Sequence, residues 1–595
     1  LSGPGAFRKA GGKGFGTFGP PIRPGLFVAN AFADFFTAMK MGIMGFNAAG
    51  KGKKMTPGRQ SFVQGAAILS AAAFFTKLLG AVYRVPYQNI TGNEGMFVYQ
   101  QVYPLYSTLL ILATAGFPLA ISKLVSERLA EGDEAGALRV FVVSSVTLTL
   151  TGLLFFLLLF AGAPWIAGWM GNREWLTLPI RAVSFALLVV PLMSAIRGYF
   201  QGHQNMIPTA LSQSVEQVVR VATILFAAWW FMSRGDDVVY AGAGAVFGAF
   251  TGAVGSLLVL LFFLRGRRPL WNAFAKEGWM FADRAAVRYV AREIWRLSLP
   301  ICLGSLVLPL FSLVDSFTVA NLLQWAGWST DSSIVAKGIF DRGQPLIQFA
   351  SFFATAIALS IVPAVAEAKA QGDLRKMEER ASLACRLTLL WGLPASVGLA
   401  VVVRPTNVML FEDVAGSDAL AILALTTVFL TLGVTSAGIL QGMGQVMLPA
   451  RNLLVGVLVK LVLNLLLVSW WDIRGAAAAT LIAYATATLL NLAAFRGQLG
   501  RMFLWKETGR ALVAATVLMA GAAAAVQVLL AAATAGWASH RWAMTVTTLG
   551  AVAAGAVVYG MVLLGLGGLR REELQVIPKW GPRLVALLEA RGWIR

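Results

Sequence analysis

Fourteen apolar runs, counted from Ser61 onward, set the limits on what this chain can fold into. Each is close to the ~20 residues a helix needs to cross a hydrocarbon layer ~30 Å thick. No water reaches backbone amides and carbonyls inside such a layer, so runs of this length must satisfy them internally, as α-helices. The runs lie at 61–82, 98–122, 138–162, 176–200, 209–232 and 239–264, then at 297–322, 345–368, 381–403, 419–441, 449–471, 475–497, 510–533 and 543–567. Charged residues make up only 13% of the chain and the mean hydropathy is +0.71, which excludes a soluble globular domain. The expected fold is an all-α polytopic membrane protein of about fourteen transmembrane helices.

The formal charge of +21 does not point to nucleic acid, because the basic residues sit in the loops between apolar runs. The even-numbered loops and the C-terminal tail hold 27 Lys and Arg, and the odd-numbered loops hold 9. That asymmetry places both termini in the cytoplasm, as an even number of spans requires. Residues 1–54 begin with Leu, are rich in Gly and Lys, and contain no convincing span. They are expected to lie outside the fold, as sequence upstream of a start at Met55; the alternative is a basic, interfacial cytoplasmic extension.

The two halves look like copies. Pro104-Leu105, Ala113-Thr114-Ala115 and Gly132-Asp133 recur as Pro345-Leu346, Ala354-Thr355-Ala356 and Gly372-Asp373. Gln201-Gly202 with Met206-Ile207-Pro208 recurs as Gln441-Gly442 with Met447-Leu448-Pro449. Both copies start on the same side, so two six-helix lobes in parallel repeat are expected, about an axis along the membrane normal. The N-lobe is then 55–264 and the C-lobe 297–497, joined by a cytoplasmic amphipathic connector, 265–296. Two more helices, 498–569, and a basic cytoplasmic tail, 570–595, complete the chain.

The stretch Arg197–Arg220 carries the chemistry. A helix starting near Pro208 would place Glu216 ~12 Å in and Arg220 ~18 Å in, close to the midplane. Spaced four residues apart, the two side chains share a face and can pair. Charge at that depth marks a functional site by default, the alternative being an ion pair that only locks two helices. Lys77, Arg84 and Lys460 are further basic residues within or at the edges of apolar runs, against two deep acids, Glu216 and Asp315. Such a balance suits a pyrophosphate anion, which Arg can grip with two donors. For Lys77 and Arg84 the competing role is snorkelling to, or anchoring at, a helix end.

The runs FFTKLLGAVYRVPYQNITGNEGMFVYQQVYPLYS, TAGFPLAISKLVSE, RGYFQGHQNMIPTALSQSVEQVVRV and VLPLFSLVDS resemble the branch of polysaccharide flippases that contains stage V sporulation protein B. That branch shares a superfamily with multidrug exporters of the MATE type. The resemblance spans about Thr56 to the C-terminus. It implies a MATE-like, two-lobed, alternating-access flippase moving an undecaprenyl-pyrophosphate-linked oligosaccharide, similar to lipid II, outward across the bacterial cytoplasmic membrane. Membrane lipids and cell-wall synthesis enzymes are the other partners it implies, for a chain acting as a monomer. A cation-coupled drug exporter is the alternative, but cationic drugs would want acids where this chain has Lys and Arg.

Pro300 and Pro309 are expected to kink or break the seventh run ahead of Asp315. Some lipid II flippases similar to this one hold sodium between the seventh, eleventh and twelfth helices. Here the eleventh run offers Lys460 and Asn464 in place of a second carboxylate, so a lysine ammonium is expected to take the cation's place beside Asp315. The alternative is that Asp315 caps a local kink. Asp236-Asp237 and Glu412-Asp413 read as solvated loop charges. Cys302 and Cys385 lie in separate apolar runs, so no disulfide is expected, and with only His203 and His540 beside them neither is a metal site or cofactor. No nucleophile stands beside a base, which argues against an enzyme.

Overall fold

The computed structural model describes residues 82–265, 284–499 and 509–568, with a few isolated positions between 69 and 80. All belong to one compact unit, 60–595, and they are helical without a strand among them. The helices are α1 (Arg84–Thr114), α2 (Phe117–Ala130), α3 (Glu134–Trp169), α4 (Arg173–Ser184), α5 (Ala186–Gly202), α6 (Ile207–Ser233) and α7 (Val238–Arg265). Then come α8 (Arg284–Trp325), α9 (Thr330–Asp341), α10 (Gly343–Ala370), α11 (Leu374–Val401), α12 (Val403–Phe411), α13 (Ser417–Gly442), α14 (Met447–Leu499), α15 (Gly509–Ala533) and α16 (His540–Gly565). Ten helical stretches among the described residues are long and apolar enough to cross a membrane. Two of these, Leu78–Ala130 and Met447–Arg496, run to 53 and 50 residues. At ~1.5 Å per residue both exceed a single crossing, which is compatible with fourteen spans.

The duplicated sequence motifs build the same local structure twice. Gly132 and Gly372 adopt φ of +76° and +69°, the left-handed turn that glycine enters without steric cost. The next residue then caps a helix: Asp133 accepts from the Gly136 amide at 2.7 Å and Asp373 from the Lys376 amide at 2.9 Å. The second pair of motifs turns at Gln204 and Gly444, both with positive φ, and launches α6 and α14 from Ile207 and Met447.

Helix ends depart from the expected runs in several places. The stretch 83–97, expected as a loop, is mostly helix, with a break at Gly92 (φ 70°) inside α1. The run 98–122 is interrupted at Ala115-Gly116 and the run 176–200 at Phe185. The eleventh and twelfth runs form one helical stretch broken at Trp471-Asp472. The seventh run is not broken: α8 passes through Pro300 and Pro309 as one 42-residue helix. Neighbouring helices can satisfy the amide bonds that proline removes inside a bundle. Lys77 and the segments 1–54 and 570–595 lie outside the described residues, as does the connector up to Asp283.

One large core gathers residues of α1–α7 with parts of α8 and α9, and smaller cores hold α8–α14 together. α15 and α16 pack on each other and reach α11 and α12. Tryptophans 229, 230, 470 and 471 are exposed near helix ends, where an amphipathic ring suits the membrane interface.

Candidate functional site

Glu216 and Arg220 pair as their spacing requires, with Arg220 Nη2 2.6 Å from Glu216 Oε1. A third member, Arg197 on α5, donates from Nη2 to Glu216 Oε2 at 2.9 Å. Arg197 also donates to the Ser212 and Ser256 hydroxyls, at 3.0 and 2.9 Å. α7 makes room for this. A Cβ at Gly252 would stand 2.6 Å from the Glu216 carbonyl and 3.1 Å from Arg220 Cβ, so only glycine lets the two backbones approach this closely. Arg197, which reads from sequence as a loop residue, is therefore a half-buried clamp.

The two arginines are bound differently. Arg197 spends its donors on three protein oxygens. Arg220 makes one hydrogen bond among the described residues, and its Nε is buried without a partner. It has donors to spare.

Arg84 opens α1 and is 7% exposed. It reaches Gln348 on α10 at 3.4 Å, and its Nε is also buried without a partner. Tyr83 precedes it, and Tyr87, Tyr99, Tyr103 and Tyr106 extend along α1. Tyr83 and Tyr99 share a hydroxyl–hydroxyl bond of 2.5 Å, and the Tyr99, Tyr103 and Tyr106 rings follow at centroid separations of 5.8 and 6.3 Å. The Tyr106 hydroxyl is buried without a partner. Arg84 and Arg220 both lie within electrostatic range of Tyr99 and Tyr103, so the tyrosines link the two spare guanidinium groups. Sequence reasoning passed over this row, although positions 99, 103 and 106 follow the helical spacing of a single face.

Asp315, Lys460 and Asn464 meet between α8 and α14. Lys460 Nζ lies 2.6 Å from Asp315 Oδ2 and donates to the Phe311 carbonyl at 2.9 Å. Asn464 Nδ2 donates to Asp315 Oδ1 at 3.1 Å and to Thr318 Oγ1 at 2.9 Å. Asp315 is 2% exposed and Lys460 1%. Asp315 thus serves an ammonium rather than capping a kink. No cluster of three or more His, Cys, Asp or Glu gathers among the described residues.

Several charges that read as loop residues are buried. Lys337 and Asp341 form a 2.6 Å pair inside α9. The signal was present, since four residues separate them, as with Glu216 and Arg220. Arg342 is fully buried and donates to Asp413 at 2.9 Å, to Asn93 at 3.4 Å and to the Ala415 carbonyl. Asp413 is thereby half-buried, whereas Glu412 is exposed, in a surface pair with Arg541, and Asp236 and Asp237 are exposed as expected. Cys302 and Cys385 are buried and unbridged.

Where α3 and α8 end, the two halves of the chain are tied together. Gln101, fully buried, donates to the carbonyls of Met170 and Ser316 at 2.9 and 2.5 Å. Asn321 and Gln324 on α8 donate to the carbonyls of Trp169 and Gly171.

Comparison with known proteins agrees with this architecture. A family described as polysaccharide biosynthesis protein matches residues 62–369, and the MatE family matches residues 300–466. The uncharacterized membrane protein YabM of Bacillus subtilis is 36% identical over 534 residues, 89% of this chain and 97% of that one. The lipid II flippase MurJ of Bacillus subtilis is 29% identical over 472 residues, 77% of this chain and 85% of that one. A solved structure of lipid II flippase MurJ in an inward closed conformation superposes with a TM-score of 0.60 at 14% identity, covering 83% of this chain and 98% of that one. The fold is therefore the all-helical one shared with that structure, in a multi-pass membrane protein.

Proposed function

Since the chain belongs to the polysaccharide biosynthesis protein family, we propose that it flips an undecaprenyl-pyrophosphate-linked oligosaccharide, lipid II-like, across the cytoplasmic membrane by alternating access. The observation that carries this reading is the pair of spare guanidinium groups, Arg84 and Arg220, joined by the Tyr99–Tyr103 row. Arg binds phosphate oxygens bidentately, and tyrosine faces offer a flat surface to a sugar ring. A cationic drug would meet repulsion at the same place. The lipid II flippase among the relatives supports a lipid-linked substrate.

The excess of Lys and Arg in the even-numbered loops supports cytoplasmic termini. In that orientation the bonds from Gln101, Asn321 and Gln324 close the outer end. Enzymes that make and use the cell-wall precursor would then act on either side of a monomeric flippase.

Asp315 and Lys460 are the coupling pair in this reading. The ammonium stands against an acid and a carbonyl, the place a cation would otherwise take, while Asn464 holds the acid's other oxygen. Making and breaking that pair lets a proton bias the conformational equilibrium. Transport in vesicles is expected to be unchanged when potassium replaces sodium and to fall when the pH gradient or membrane potential is collapsed. The central experiment is complementation of a bacterial strain depleted of its lipid II flippase. Growth restored by the native chain and lost with Arg84→Ala is the expected result. A chain that is abundant in the membrane yet never restores growth, and moves no lipid-linked sugar in vesicles, rules the proposal out.

A further inference from the structure

Asp315 and Lys460 have buried neighbours of the same kind. Lys337 Nζ donates to both oxygens of Asp341 at 2.6 Å, and the two side chains are 1% and 6% exposed. α9, which carries them, packs on α8 and α14, the helices that carry Asp315 and Lys460. The two pairs lie within electrostatic range of each other: Asp341 interacts with Asp315 and Lys460, and Lys460 with Lys337. Each ammonium also faces a ring, Phe340 at 5.6 Å for Lys337 and Phe311 at 5.5 Å for Lys460. The four charges sum to zero in a part of the chain where an uncompensated charge is costly.

We propose that Asp315, Lys337, Asp341 and Lys460 form one electroneutral unit in which either ammonium can serve either carboxylate. Lys337 and Asp341 are then positioning residues for the coupling pair. Lysine suits this, because three donors on a flexible four-carbon stem can change acceptor without a fixed geometry. Exchange of partners lets α9 shift against α8 and α14 during alternation without baring a charge. The functional half of this inference rests on the coupling role proposed for Asp315; the exchange itself does not.

The test uses the full chain, scored both for folded abundance in the membrane and for transport per molecule in vesicles. Lys460→Met strands Asp315 and is expected to lower folded abundance roughly ten-fold or more. Lys460→Met with Asp341→Asn leaves Asp315 and Lys337 as the only charges of the unit. This cross-pair double variant is expected to regain abundance and transport to within about two-fold of the native chain, the coupling that a double-mutant cycle detects. Lys460→Met with Asp315→Asn should regain abundance but not transport, because the coupling acid is gone. Rescue by Asp315→Asn alone, rescue by neither second substitution, or an unimpaired Lys460→Met each overturns the exchange. Asp315→Asn in the native chain tests the other premise. If it transports normally, the coupling role falls, while the abundance of the cross-pair variant still decides whether the four charges act as one.

Discussion

Arg197 and Arg220 hold the same carboxylate, yet their replacement should have opposite consequences. Arg197→Gln removes three donated hydrogen bonds, one of them a 2.9 Å contact with Glu216 at side-chain exposures of only 12% and 15%. At an effective dielectric near 20 the gross attraction across 2.9 Å is about 6 kcal/mol. Desolvation offsets much of it, and breaking such a buried pair typically costs about 3–5 kcal/mol. Against a typical stability of about 5–15 kcal/mol this should deplete folded protein in the membrane severely. Arg220→Lys keeps a charge four residues from Glu216, so its cost should be about 1 kcal/mol, the worth of one hydrogen bond. What lysine cannot supply is the planar fork. Losing one charge-assisted phosphate contact of about 1.5–3 kcal/mol corresponds to a roughly ten- to hundred-fold loss of transport. The assay is quantitative membrane abundance by immunoblot beside flipping of a lipid-linked sugar in vesicles. Normal flipping by Arg220→Lys, or an abundant Arg197→Gln that has lost only transport, would refute the division of labour drawn between them.

Lys460→Ala should destabilise the chain more than Asp315→Asn, by about 2 kcal/mol, because it leaves the buried carboxylate with no ammonium, whereas an asparagine still offers Lys460 a carbonyl oxygen; melting in detergent reads the difference. Gly252→Leu should lower folded abundance at a cost of about 1–3 kcal/mol, since its Cβ would stand 2.6 Å from the Glu216 carbonyl and push α7 from α6. Gln101→Leu strips the donor from two buried carbonyls at a cost of about 1–3 kcal/mol each. It should raise the population open where α3 and α8 end, read as faster thiol labelling of a cysteine placed at Thr318. An unchanged labelling rate would mean that Gln101 does not hold that end closed.

Much of this protein was legible in the chain alone, because a membrane leaves few choices. Long apolar runs must become helices, and the duplicated Gly-Asp and Met-x-Pro motifs encode their turns through local rules of φ and capping. The pairing of Glu216 with Arg220 was legible for the same reason: residues four apart on a helix are neighbours whatever surrounds it. Lys337 and Asp341 have that spacing too, but they stand in a short stretch between apolar runs, where only packing reveals that α9 is buried. Long-range partners depend on tertiary structure. Arg197 reaches Glu216 across 19 residues of sequence, and Lys460 reaches Asp315 across 145. The arginine whose donors remain free was decided the same way: Ser212 and Ser256 converge on Arg197 and leave Arg220 unspent, because small residues on α7 let three helices close around one carboxylate.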